Sequence, residues 1–136
     1  MPSPVAILGT YLHLARASAQ RLRPHVRDRL LVIAGSIAAR MQLPRIAAYC
    51  RHLILQHNPQ HLLARWPDFE TAMDDENFLA LLRQLQRRYP QEKAEQMLAT
   101  LGVFLGRERD AYFTDEEYAA SLLGTSTEKI DEMFGA

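Results

Sequence analysis

Apolar residues recur along this chain at three- and four-residue intervals, and prolines cut the pattern into segments. Proline suits the first helical position and disfavours helix in the residue before it, so each one ends a helix and opens the next. Residues 5–22 put Leu8, Leu12, Ala15 and Leu22 on one helical face, and Gly9, His13, Arg16 and Gln20 on the other. Residues 25–41 carry the stripe Val26, Leu30, Ile33, Ile37 and Met41. From Leu30 to Ala39 there is no charge, and Ala34, Gly35, Ser36, Ala38 and Ala39 leave little bulk. This second helix is expected at the centre of the fold, with neighbours close to its backbone. A third helix over 45–57 turns Ile46, Cys50 and Leu53 inward.

Asn58-Pro59 reads as a cap and first position of a short helix ending at Trp66, and residues 68–73 as one further turn. The helix over 75–89 buries Phe78, Leu82, Leu85 and Tyr89, with acids at its start and arginines at its end. The next, over 91–107, buries Ala94, Leu98, Leu101 and Leu105. Thr114 and Glu117 have capping-box spacing, with Phe113 and Tyr118 placed as the hydrophobic staple. That helix stops at Gly124. Thr125 and Glu128 repeat the spacing, and a last helix carries Ile130, Met133 and Phe134.

Strand alternation, internal repeats and low-complexity stretches are missing from the sequence, and Leu plus Ala outnumber Ile plus Val by 38 to 10. The expectation is an all-α, orthogonal bundle of six to eight helices without a β-sheet, one domain over 1–136, and roughly 70% helix against the usual third. A single cysteine excludes an intramolecular disulfide framework and multi-cysteine metal sites. No run reaches the roughly 18 apolar residues of a membrane span. Residues 1–27 lack acids and contain four arginines, the composition of an organelle transit peptide, but their apolar pattern runs unbroken into later helices. A cytoplasmic location is expected.

Charge is balanced in total and unbalanced in place. Residues 1–66 hold nine arginines and one acid, Asp28, for a net +8; residues 67–136 hold seven basic residues and fifteen acids, for a net −8. The basic half either contacts a polyanion, or attracts the acidic half within the fold, or meets another subunit's acidic surface. Arginine binds phosphate bidentately. Yet 14 Arg against 2 Lys, with abundant Ala and Leu, also fits the coding bias of a GC-rich genome. The polyanion candidates are Arg16, Arg23, Arg27, Arg29, Arg45 and Arg51.

The C-terminal hairpin, with Ala120 four residues before Gly124 and Ile130 and Met133 at inward positions, resembles a DNA-binding helix-turn-helix over about twenty residues. That resemblance implies recognition by the second helix. Its residues Thr127, Glu128, Lys129, Asp131 and Glu132 include three acids that would repel phosphates, so a structural hairpin is expected. His57 and His61 have the spacing of two metal ligands on one helix, with Pro59 between them; His57 falls with Ile46, Cys50 and Leu53, and a half-buried structural histidine is the expectation. Cys50 reads as an inert core thiol. No Glu-x-x-His pair, Gly-rich phosphate loop or Gly-x-Ser-x-Gly elbow is present, and no cofactor is expected.

The leading expectation is a small non-catalytic interaction or regulatory protein whose partner is another protein or a second copy of itself, with no membrane contact. The alternative is a nucleic-acid or other polyanion binder acting through the arginine-rich half. An enzyme with a site assembled from distant residues stands third.

Overall fold

The first three helices each open on a proline, as the sequence pattern predicts. The computed structural model describes residues 2–134. Its helices are α1 (Pro4–Gln20), α2 (Pro24–Arg40), α3 (Pro44–His57), α4 (Phe69–Ala72), α5 (Glu76–Arg88), α6 (Gln91–Thr100), α7 (Asp115–Leu122) and α8 (Thr127–Phe134), with 3₁₀ turns at Leu62–Arg65 and Glu108–Ala111. The described residues are 74% helical, 3₁₀ turns included, and contain no strand. The described residues form an all-α bundle of eight helices.

The joints between α1 and α2 and between α2 and α3 share one geometry. Leu22 and Gln42 hold φ of 59° and 60°, the left-handed conformation that glycine usually supplies. At the first joint Arg23 N–H donates to Ser18 and Leu22 N–H to Ala19; at the second Leu43 N–H donates to Ala38 and Gln42 N–H to Ala39. These are Schellman closures, each followed at once by the proline of the next helix. The helix over 5–22 predicted from periodicity therefore ends at Gln20, and Leu22, expected in the core, is 87% exposed.

α2 is enclosed. Leu30 to Ser36 are all buried, and the helix packs against α1, α3, α4 and α5. A Cβ on Gly35 would clash with the tip of the Phe69 ring of α4. Gly9 is buried rather than on a polar face: Tyr118 Oη of α7 lies 2.7 Å from where its Cβ would stand. α1 thus packs on more than one side, against α2, α6 and α7, which a one-stripe reading does not allow for. Met41, at the C-cap of α2, and Leu53 of α3 are only half-buried.

Other boundaries also differ from the pattern. Asn58 caps the C-terminus of α3, and its side chain folds back to accept from Gln60 N–H. His61 Nδ1 caps the 3₁₀ turn that replaces the expected short helix. α6 stops at Thr100 because Gly102, at φ 75°, closes a Schellman turn in which Val103 N–H donates to Leu98 and Gly102 N–H to Ala99. Leu105 accordingly lies half-buried in an irregular segment, not on a helix. In α8 Ile130 is fully buried but Met133 is 47% exposed, so only one of the two expected inward positions points in.

Candidate functional site

The arginines divide by what surrounds them. Arg27 donates twice to Asp28 Oδ1, at 3.2 and 3.0 Å, and once to the Leu53 carbonyl. Arg45 reaches across the halves, 3.6 Å from Glu116 and 2.9 Å from Asp131 Oδ1; the second contact is close enough for an ion pair but lacks hydrogen-bond alignment. Arg51 donates to the Trp66 carbonyl. Arg16, Arg23 and Arg29 are in no ion pair among the described residues. In the acidic half, Asp115 is bound to Arg109 and Glu76 to Arg83.

Asp28 is the focus of the first cluster. It is the one acid among residues 1–66, it is buried, and each oxygen is occupied: Oδ1 by Arg27 and Oδ2 by His57 Nδ1. A buried carboxylate is tolerable only when paired in this way. His25 packs edge-on against His57, with ring centroids 5.2 Å apart. His57 sits at the open end of α3 with a side chain 28% exposed, not on the inner stripe assigned from periodicity. His61 Nδ1 accepts from Leu63 N–H, which leaves Nε2 as its remaining nitrogen; burial lowers its pKa, partly countered by the Asp28 charge. No group of three or more His, Cys, Asp or Glu among the described residues is arranged to hold a metal ion. Beside this cluster lies a cleft of about 410 Å³ between α2, the α3–3₁₀ junction and α5.

A second cluster joins distant elements. Glu108 Oε1 lies 2.7 Å from His13 Nε2 of α1 and accepts from Tyr118 Oη of α7 at 2.8 Å. Burial works to raise the Glu108 pKa, but the hydrogen bonds from His13 and Tyr118 outweigh it and hold the carboxyl below its ordinary value. Burial and the same carboxylate push the Tyr118 phenol up. This network pins the segment between α6 and α7 to the bundle.

Comparison with protein-family models, curated protein sequences and solved structures found no match to this chain.

That pinned segment displays aromatic side chains outward. Phe104 is 78% exposed and Phe113 94%. Phe113 holds the staple position before α7, yet Tyr112 takes its place against Tyr118, with ring centroids 5.6 Å apart. Arg109 fixes the backbone around Phe113, donating to the Tyr112 carbonyl at 2.7 Å and to Asp115 at 2.6 Å. Neither Phe113 as a displayed ring nor Arg109 as its clamp was found from the sequence, because capping-box spacing does not distinguish a staple at one residue before the cap from one at two. Asp28 did carry a signal: a lone acid in a basic half. Cys50 is fully buried, and burial pushes its thiol up to about 12, so it is not a nucleophile in the folded state.

Proposed function

We propose that this protein is a non-catalytic interaction module whose contact is built around Phe113. The observation that carries this reading is a nearly fully exposed aromatic ring on a backbone fixed on both sides by Arg109. Rigid aromatic anchors bind well because little freedom remains to be lost on association. Of the acids that follow Phe113, Asp115 and Glu116 are paired within the chain and Glu117 is in no ion pair among the described residues, so the fitting partner offers an apolar recess with a basic neighbour. This chain has one itself: a recess of about 200 Å³ walled by Leu12, Leu31, Leu53 and Leu122, with Arg16, in no ion pair among the described residues, as its basic neighbour. The first partner is therefore a second copy, held head to tail.

Sedimentation equilibrium tests this. Average mass should rise with concentration and fall when salt is raised to about 0.5 M. Phe113→Ser should remain monomeric with an unchanged melting temperature, and Arg16→Glu should weaken association. A strictly monomeric wild type would overturn the second-copy reading, and a marked loss of stability in Phe113→Ser would make the ring structural.

A second reading, polyanion binding, is favoured by the seven of nine arginines in residues 1–66 that form no ion pair among the described residues. Binding to a mixed-sequence duplex at about 150 mM salt, with a log–log slope near −0.9 per phosphate neutralised, would support it. Absence of binding at that salt would remove it.

A further inference from the structure

The cleft beside Asp28 has more free donors than free acceptors: His25 and Gln84 offer one of each kind, and the other acceptors on its wall are taken. Among the described residues Asp28 is its only carboxylate, and both oxygens are spent on Arg27 and His57. Asn58 Oδ1 is occupied by Gln60 N–H, which leaves the Asn58 NH₂. His61 Nδ1 is occupied by Leu63 N–H, so the neutral ring carries its proton on Nε2 as a further donor. Arg29 and Arg88 line the same cleft, and neither forms an ion pair among the described residues. The Arg88 guanidinium lies 5.8 Å from the Tyr89 ring centroid, a face contact that leaves its N–H edges unused.

With Arg27 set against Asp28, two guanidinium charges remain uncompensated, and the free polar groups are chiefly donors. That composition selects a doubly charged oxyanion over a neutral polar ligand. Leu81 and Leu85 add apolar wall, and the volume is in the range of small-molecule pockets, well beyond a bare anion. We propose that this cleft binds a small organic phosphate monoester, with Arg29 and Arg88 on the phosphate, Asn58 and His61 donating to it, and Leu81 and Leu85 against the organic part. The site is separate from Phe113 and from the apolar recess of the association reading.

The test is an NMR titration of the intact chain with phenyl phosphate, inorganic phosphate, benzoate and phenol. Phenyl phosphate should give saturable shifts centred on the side-chain amides of Asn58 and Gln84 and on the His61 ring. Inorganic phosphate should bind the same place more weakly, benzoate more weakly than phenyl phosphate, and phenol not at all. Arg29→Gln and Arg88→Gln should each weaken phenyl phosphate roughly tenfold, and Arg29→Lys should recover part of the loss. Arg88 is exposed, so its variant decides the matter if Arg29→Gln disturbs the wild-type amide spectrum. The proposal is overturned if shifts are non-saturable and spread over the surface arginines, if benzoate equals phenyl phosphate, or if well-folded Arg88→Gln binds as wild type does.

Discussion

Gly35 lies against the tip of the Phe69 ring, and Phe69 is itself fully buried and packed edge-on against Phe78. Alanine there gains about 1 kcal/mol in helix propensity but has to displace a ring with no room to move. Overpacking of this kind costs about 1–3 kcal/mol, so Gly35→Ala should lower stability in a denaturant melt, and Phe69→Leu in the same chain should restore part of it. Leu22 presents the opposite case: a branched side chain in the left-handed region, in open solvent. Leu22→Gly should raise stability by up to about 1 kcal/mol, the strain removed less the extra freedom of the unfolded chain; an unchanged or lower denaturation midpoint would contradict this. The two positions also show what a sequence reveals. A run of small residues announces close approach, so Gly35 was readable. Leu22 continues the apolar period of α1, and nothing in a leucine reports that its φ is positive.

Among the elements, α7 has the plainest local code and the least expected neighbour. Thr114 Oγ1 accepts from Glu117 N–H at 3.0 Å. Thr114→Ala should cost about 1 kcal/mol, seen as a lowered melting temperature with any Phe113-dependent association retained at temperatures where the protein is folded. Loss of association without loss of stability would place Thr114 in the contact itself. The proline-led starts of α1, α2 and α3 were legible because proline acts through its own ring. The end of α6 was less so: Gly102 closes it, while Leu101 and Leu105 prolong the helical period past the break. The site was least legible. Asp28, Asn58 and His61 meet Gln84 and Arg88 only because α5 returns to α2, and no spacing along the chain encodes that.

For the whole molecule, acid should act in two stages. Burial holds the folded-state pKa of His61 below its ordinary 6.5. As pH drops under that value the unfolded chain takes up the proton first, and stability falls. Glu108 follows: burial opposes its ionisation, the His13 and Tyr118 hydrogen bonds prevail, and its folded pKa lies below the ordinary 4.5. Its contribution is complete above 4.5 and is lost as pH falls through the folded value. Melting temperature against pH should show both declines. His61→Asn should flatten the upper one and Glu108→Gln the lower. A profile unaffected by either substitution would show that other groups govern acid unfolding.

The twin joints after α1 and α2 bear on the order of assembly. They reverse the chain within a few residues, so α1, α2 and α3 meet their largest interfaces with sequence neighbours. α7 must instead return across about a hundred residues to reach α1, and closing so long a loop is entropically slow to be rewarded. Residues 4–57 should therefore condense first, with α7 docking on a surface already formed. In stopped-flow kinetics Ala38→Gly in α2 should slow refolding, while Ala120→Gly in α7 should mainly hasten unfolding. The reverse pattern would mean that the long-range α1–α7 contact nucleates the fold.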